Sequence, residues 1–247
     1  MPKRLDVYLS DNNIVKSRSL AASLIKQGSV EVNGRICTKP SYAVNDSDNV
    51  KIIGELPKYV GRGGLKLEKA LAYYRLHLDG AVCIDIGAST GGFTDCMLQN
   101  GAEKVYSVDV GTDQLDEKLR NDSRVISMEK TDIRSCVGEL PWVNFISIDV
   151  SFISLKLVLP SAFALLKDGG ECVALIKPQF EAGKAHLSKN GIVRDTKVHK
   201  KVCDEIAEFA SAVGFERGEI ITSPITGGDG NTEYLIYLKR PKAGDKL

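Results

Sequence analysis

No Cys-x-x-Cys pair occurs among the six cysteines, Cys37, Cys83, Cys96, Cys136, Cys172 and Cys203. The three histidines, His77, His186 and His199, form no cluster at metal-ligand spacing. A structural zinc site is therefore not expected, no metal is assigned, and the thiols read as reduced. Long apolar runs are also missing: stretches such as Ala162 to Leu166 and Val173 to Ile176 fall far short of the roughly 20 residues that cross a bilayer. The opening Met-Pro-Lys-Arg-Leu-Asp carries charge and no apolar segment behind it. Neither a secretory signal nor a membrane contact is expected, and the reading is a cytoplasmic protein.

What is present suits a folded chain. Its 247 residues are 43% hydrophobic and 26% charged, enough for one medium domain and a small module. A disordered tail and a small disulfide scaffold are excluded. The net charge is only +1, but residues 1 to 70 hold 12 Lys and Arg against 7 Asp and Glu, leaving the remainder at −4. A basic front end on a mildly acidic body points to the front end as the part that meets a polyanion.

Asp6 to Ser10 and Ser17 to Gln27 carry apolar residues at helical spacing, with Ser17 or Ser19 available as a cap and Gly28 as the stop. Val30 to Val32 reads as a short strand entering an Asn33-Gly34 turn, and Val50 to Ile53 as another. Residues 1–54 form this module. Residues 55–64, with Pro57, Tyr59 and the Gly61-Arg62-Gly63-Gly64 run, read as a linker. From 65 to 247, short apolar strands alternate with helical patterns: Val82 to Ile86, Val105 to Val108, Val125 to Met128, Phe145 to Ile148, Cys172 to Ile176, Phe215 to Ile221 and Tyr234 to Leu238. The clearest helix is Lys197 to Val213, with Val198, Val202, Ile206, Phe209 and Val213 on one face. This is an α/β pattern: a mostly parallel sheet covered on both sides, its last two strands an antiparallel hairpin.

The strand ending Asp85-Ile86 runs through Gly87-Ala88-Ser89-Thr90-Gly91-Gly92 into a helix starting near Phe93. Glycines there let backbone approach a ligand, and the helix start offers unpaired N–H groups. The spacing is neither Gly-x-Gly-x-x-Gly nor that of a phosphate-binding P-loop. Asp85 ends the first strand, Asp109 the second, at the spacing where an acid grips an adenosine ribose, and Asp132 follows the third. Three acids favour an adenosine carrying positive charge, S-adenosyl-L-methionine. The cofactor set is Asp85, Gly87, Ala88, Ser89, Thr90, Gly91, Gly92, Phe93, Asp109, Val110, Asp132 and Ile133.

Lys66, Asp149, Lys177 and Glu233 form a second constellation. Asp149 and Lys177 end the fourth and fifth strands and Glu233 enters the last, so their side chains converge on the crevice where a methyl group would sit. Methyl transfer to a ribose hydroxyl requires that hydroxyl to lose its proton, and a lysine can take it only where desolvation or a second cation favours its neutral form. Lys177 is the candidate acceptor. Lys66 is the second cation, and Asp149 and Glu233 orient the pair.

The runs Val60-Gly61-Arg62-Gly63-Gly64-Leu65-Lys66-Leu67, Asp85 to Thr94, Asp109-Val110-Gly111, Asp149-Val150-Ser151-Phe152-Ile153-Ser154, Lys177-Pro178-Gln179-Phe180-Glu181 and Gly230-Asn231-Thr232-Glu233-Tyr234 together resemble the haemolysin-A (TlyA) type of ribosomal RNA methyltransferase. The resemblance covers nearly the whole chain. It implies a small α+β S4-like RNA-binding domain followed by a Rossmann-like, seven-stranded, FtsJ-like methyltransferase domain. The implied activity is methylation of a cytidine ribose 2′-hydroxyl in ribosomal RNA of the large subunit, with the small subunit as a second target, by a Lys66-Asp149-Lys177-Glu233 tetrad. One departure is Thr90, where FtsJ-like enzymes carry a proline. The short chain resembles the members that modify only the large subunit.

Arg4, Lys16, Arg18, Lys26 and Arg35 surround the helix pair and turn, a positive face for structured RNA or a ribosomal subunit. Stacking aromatics are scarce there, so folded RNA rather than single strands is expected. His186 reads as a loop residue and His199 as a helix-surface residue. A monomer is favoured. Two rivals differ in class: a membrane-active haemolysin, for which no amphipathic inserting segment is visible, and a non-catalytic RNA-binding assembly factor.

Overall fold

The computed structural model describes residues 2–15, 17–26, 28–54 and 57–244. The chain divides into two compact units, Met1–Pro57 and Lys58–Leu247.

In the first unit, β1 (Lys3–Arg4) leads into α1 (Leu5–Asp11), followed by α2 (Arg18–Lys26), β2 (Val30–Val32), β3 (Arg35–Ile36), β4 (Ala43–Val44) and β5 (Val50–Ile52). Ser17 caps α2, its Oγ accepting from Leu20 N–H at 3.2 Å. Asn33 and Gly34 both take left-handed φ values, 53° and 76°, the geometry that joins two antiparallel strands in a two-residue turn. They connect β2 to β3, and β2 also pairs with β5. Leu5, Leu9, Leu24, Ile25 and Val30 are fully or nearly fully buried in one core, fed by the helical spacing on one side and strand alternation on the other.

The second unit runs α3 (Gly64–Tyr74), β6 (Val82–Ile86), α4 (Gly92–Gln99), β7 (Lys104–Val108), α5 (Glu117–Arg120), β8 (Val125–Met128), β9 (Val143–Ile148), α6 (Leu155–Leu165), β10 (Leu166–Ile176), α7 (Pro178–Glu181), α8 (Thr196–Val213), β11 (Glu216–Thr222) and β12 (Tyr234–Lys239). The sheet order is β11-β12-β10-β9-β6-β7-β8. Strands β6 to β10 are mutually parallel, while β12 lies antiparallel between β10 and β11. The final hairpin thus inserts its second strand into the sheet. From Lys58 onward the glycine-rich segment belongs to this unit, with Tyr59 buried in its core.

Strand alternation sorts the core into two layers. Ile84, Ile86, Ile146, Ile148 and Ala174 pack with α6 and α8 on one face. Cys83, Phe145, Val173 and Leu175 pack with α3 and α4 on the other. All six cysteines are buried and unpaired, and burial pushes the Cys83 and Cys96 thiols up to about 12.

Two expectations need correction. Strand β10 begins at Leu166, six residues before the expected Cys172, with a register shift between Leu166 and Glu171, so Asp168-Gly169-Gly170 forms an irregularity inside the strand. The expected stripe of α8 does face the core, with Val202 and Ile206 buried and Val198, Phe209 and Val213 partly buried against it, but the fully buried face also takes in His199, Cys203, Ala207 and Ala210. Small residues let this helix approach the sheet closely, and His199 lies inside rather than on the surface.

Register aligns the site. Ile86 sits opposite Val108 and Ile148, Val108 opposite Met128, and Ile148 opposite Ala174. Tyr234, where β12 enters, sits opposite Ile176. The residues following β6, β7, β8, β9 and β10 and preceding β12 therefore share one edge of the sheet.

Candidate active site

At that edge the chain leaves β6 through a turn whose Gly87 and Ala88 N–H groups both donate to Val108 O, at 2.9 and 3.1 Å. Gly87 has φ 82°, and a Cβ there would lie 2.4 Å from Asp149 O, so backbone of two neighbouring strand ends touches at a point no side chain fits. Beside it lies a cleft of about 300 Å³, lined by Ala88, Thr90 and Phe93 of the turn together with Lys66, Asp149 and Lys177.

Asp85 sits beneath the turn, fully buried. Its Oδ2 accepts from Thr94 Oγ1 at 2.7 Å and its Oδ1 from Ser147 Oγ at 2.8 Å. Burial pushes its carboxyl up to about 6, against the hydroxyl hydrogen bonds that favour the charged form. Asp85 therefore underpins the turn and does not line the cleft.

Asp109 follows β7 and is half-buried. Its Oδ2 accepts from Ser89 N–H at 2.8 Å and its Oδ1 from Gly111 N–H at 2.7 Å; each oxygen keeps a lone-pair direction for a further donor. Val110 beside it is 73% exposed. Asp132 caps the short 3₁₀ turn that contains buried Ile133, and Arg134 grips its carboxylate through Nε and Nη2. That guanidinium holds the Asp132 carboxyl below its ordinary value. At the β8 end, an incoming ligand meets a charge already balanced.

The four charged residues meet. Lys66, on the first turn of α3, places Nζ 2.5 Å from Glu233 Oε2 and 3.9 Å from Asp149 Oδ2. Lys177, at the end of β10, places Nζ 2.5 Å from Asp149 Oδ1 and donates to Ser151 Oγ at 2.9 Å. Both lysines and Glu233 are buried. Two cations and two anions thus alternate as Lys177, Asp149, Lys66 and Glu233, a neutral set in a setting where an unpaired charge is costly. The cleft-facing members are Lys66, Asp149 and Lys177.

In the first unit, Asp6 is buried and its carboxylate gathers two arginines: Arg4 Nε and Nη2 donate to its two oxygens at 2.9 and 2.8 Å, and Arg18 Nε donates to Oδ2 at 3.1 Å. The Arg4 hydrogen bond, with Arg18 adding to it, pulls the Asp6 carboxyl down to about 2. The Arg4 and Arg18 side chains stay about half-exposed, and Lys26 and Arg35 are exposed on the same unit's surface. Lys16 lies outside the described residues.

The family model of FtsJ-like methyltransferases matches residues 59–240, and that of the S4 domain matches residues 3–50. Hemolysin A of Brachyspira hyodysenteriae is 42% identical over 95% of this chain and 99% of its own length. The chain belongs to the FtsJ-like methyltransferase family, in its hemolysin A/TlyA branch. The 16S/23S rRNA (cytidine-2′-O)-methyltransferase TlyA of Mycobacterium tuberculosis is 36% identical over 96% of this chain and 89% of its own. A solved structure described as a hemolysin from Streptococcus thermophilus superposes with a TM-score of 0.77 at 46% identity, over 99% of this chain and 91% of that one.

Several residues of this FtsJ-like site escaped the sequence reading although they lie in the motifs that carried the resemblance. Ser151 receives the Lys177 hydrogen bond, and Arg62 lines the cleft. Glu181 ties the chain after Lys177 to the start of α6, accepting from Ser154 Oγ at 2.6 Å and Leu155 N–H at 2.8 Å. Asn231, two residues before Glu233, accepts from Val193 N–H and donates to Gly191 O, both at 3.2 Å. Phe152 is 92% exposed, holds φ 63° and has its ring centroid 5.0 Å from that of Phe180, the two rings tilted by 50°, so a large apolar ring is held out to solvent at a left-handed position next to cleft-lining Ser151. His199 bridges Tyr234 OH and Val193 O, at 2.8 Å each. Nothing short of the fold brings it to Tyr234.

Proposed function

We propose that the chain methylates the 2′-hydroxyl of a cytidine ribose in ribosomal RNA, in the large subunit and with the small subunit as a second target, and that S-adenosyl-L-methionine is the methyl donor. The observation that carries this reading is the alternating Lys177-Asp149-Lys66-Glu233 set beside the glycine turn. It offers amines and carboxylates to a hydroxyl, and neither thiol nor histidine lines the cleft among the described residues. The M. tuberculosis relative named as a cytidine-2′-O-methyltransferase supports the choice of nucleoside.

The residues fit the donor. Gly87 to Phe93 would hold its amino-acid end through backbone, Asp109 its ribose through the lone pairs left free, and Val110 and Ile133, with Asp132 beside them, its adenine. The donor supplies an electrophilic methyl group on a sulfonium. Lys177, entering the step as the free amine after giving its own proton to solvent, takes the proton from the attacking hydroxyl at Nζ as the O–CH3 bond forms and the donor's S–CH3 bond breaks; Asp149 holds the resulting ammonium, and Lys66, anchored by Glu233, keeps Asp149 in place. Asp85 braces the turn from below through Thr94 and Ser147.

Arg4, Lys16, Arg18, Lys26 and Arg35 are the RNA-facing set of the S4 unit in this reading, which places the protein with the ribosome in the cytoplasm. No helix of the described residues is long and apolar enough to cross a membrane.

The test is transfer of labelled methyl from S-adenosyl-L-methionine to purified large and small ribosomal subunits lacking the modification, with the product mapped by nuclease digestion and mass spectrometry. A 2′-O-methylcytidine in the large subunit is expected. No incorporation into subunits or free rRNA, despite measurable donor binding, would overturn the catalytic reading in favour of an assembly factor.

A further inference from the structure

The segment from the end of α7 to the second turn of α8 is unusually basic. Lys184, Lys189, Arg194, Lys197, Lys200 and Lys201 are all exposed, and between residues 184 and 203 the one acid is Asp195. That acid is engaged: its Oδ1 accepts from Lys197 N–H at 2.8 Å as the cap of α8. Lys201 reaches Glu205 at 3.9 Å with its side chain 73% exposed, a contact worth little in water. Among the described residues the other five have no ion-pair partner. Six cations thus stand on one stretch of the methyltransferase unit with almost no counter-charge.

The arrangement also runs against the helix. Along the outer face of α8, Lys197, Lys200 and Lys201 occupy the first two turns, and Asp204, Glu205 and Glu208 follow. The macrodipole favours acids near the N-terminus and bases near the C-terminus, so this order costs stability where the reverse would add it. The Lys201–Glu205 pair likewise has the weaker i,i+4 orientation. A sequence that departs from a local rule in this way signals a demand from outside the fold.

The strip is held against the active-site strand. Asn231 fastens Val193 and Gly191, and His199 fastens Val193 to Tyr234. Asn231 and Tyr234 flank Glu233 in sequence, and Lys184 follows Lys177 by seven residues. The basic loop and the tetrad therefore share the same supports.

We propose that Lys184, Lys189, Arg194, Lys197, Lys200 and Lys201 form a second RNA-binding surface, on the methyltransferase unit itself, that takes phosphates of the strand or helix flanking the target nucleotide. It rests on the reading of this protein as an RNA methyltransferase. Six closely spaced cations, five of them without an ion-pair partner among the described residues, suit a regularly charged backbone, and counterion release supplies the affinity. Pinning to the residues around Glu233 lets phosphate contacts set the register of the ribose in the cleft.

The test uses the full chain and unmodified large ribosomal subunits, with binding measured across a salt series alongside methyl transfer. In the variant K189Q/R194Q/K197Q/K200Q, affinity is expected to fall at least about tenfold and the slope of log K against log salt to flatten by roughly 2 to 4, near one for each phosphate no longer held. KM for the subunit should rise while donor affinity stays unchanged, and Tm should hold or rise because the helix start loses unfavourable charge. A companion variant, D204N/E208Q, should bind as well as the wild type or better. Unchanged affinity and salt slope in the quadruple variant would overturn the proposal. So would weakened binding seen with intact subunits but not with protein-free ribosomal RNA, which would assign the strip to an acidic protein. A wild-type chain that binds subunits with this salt dependence but transfers no methyl would instead refute the catalytic reading and leave the surface standing.

Discussion

Lys66 and Glu233 lie 167 residues apart in the chain and meet as a buried ion pair, Nζ to Oε2 at 2.5 Å. The pair joins the first turn of α3 to the entry of β12. Removing one partner leaves the other charged and buried, a cost of about 3–5 kcal/mol. Lys66→Ala is therefore expected to lower the denaturant midpoint strongly. The double change Lys66→Met, Glu233→Leu should recover most of that stability and none of the methyl transfer. A Lys66→Ala chain that unfolds like the wild type would refute this coupling.

Lys177 contacts the same network from the opposite side, through Asp149 and Ser151, and borders the cleft without supplying its glycine turn. Lys177→Ala is expected to slow transfer by about 10²- to 10⁴-fold, the usual contribution of a positioned proton acceptor. Donor affinity, read by calorimetry, should fall much less. Asp149→Ala should slow transfer at least as much. Wild-type turnover in either variant would remove it from the mechanism.

Asp149 and Lys177 were legible in the sequence because parallel strands in a doubly wound sheet end on one edge, which brings the two together, and Glu233 joins them because β12 runs antiparallel and begins at that edge. Asp85 illustrates the limit. Its position at the end of β6 was readable, but whether its side chain faces the cleft depends on Thr94 and Ser147, which come from α4 and β9 and reach it only through packing. His199 failed for a related reason. The large apolar residues of α8 mark the core-facing side correctly, but the small residues Cys203, Ala207 and Ala210 widen the buried face so that His199 falls inside it, and a periodicity argument weighs large apolar residues over small ones.

Asp85 gives a pH prediction with a definite sign. Its folded-state value, about 6, lies above that of the unfolded chain, so between roughly pH 4 and 6 the folded state binds more protons and stability falls as pH rises. Above that window the full cost, roughly 3 kcal/mol, applies. Asp85→Asn should remove this component, since an amide can pair with both the Thr94 and Ser147 hydroxyls. The difference in unfolding free energy between variant and wild type should grow in the variant's favour from pH 4.5 to pH 7. A pH-independent difference would show that Asp85 titrates at its ordinary value.

Gly87 and Gly138 share a left-handed backbone, with φ 82° and 92°, but differ in surroundings: a Cβ at Gly87 would lie 2.4 Å from Asp149 O, and one at Gly138 meets nothing within 4 Å. Substitution by alanine should cost both sites about 1 kcal/mol of backbone strain. Only Gly87→Ala should also displace the Asp149 carbonyl and reduce transfer by a further tenfold or more, since misplacement of about 1 Å is costly at a reacting centre. Equal activity in the two variants, normalised to folded protein, would break the link between the turn and the tetrad.

The S4 unit supplies the last prediction. Asp6 spaces Arg4 and Arg18 about one buried carboxylate, leaving two half-exposed arginine side chains held in fixed orientation, with Arg35 exposed on β3 of the same unit. Arginines so held lose little freedom on meeting phosphate. Replacing Arg4, Arg18 and Arg35 by alanine should weaken binding to unmodified subunits and flatten the salt slope by about 0.9 for each duplex phosphate that is no longer neutralised. Asp6→Asn should weaken binding despite raising the net charge, because it releases both arginines from their orientation. If Asp6→Asn binds more tightly, the arginines act only through their charge, and Asp6 contributes stability rather than recognition.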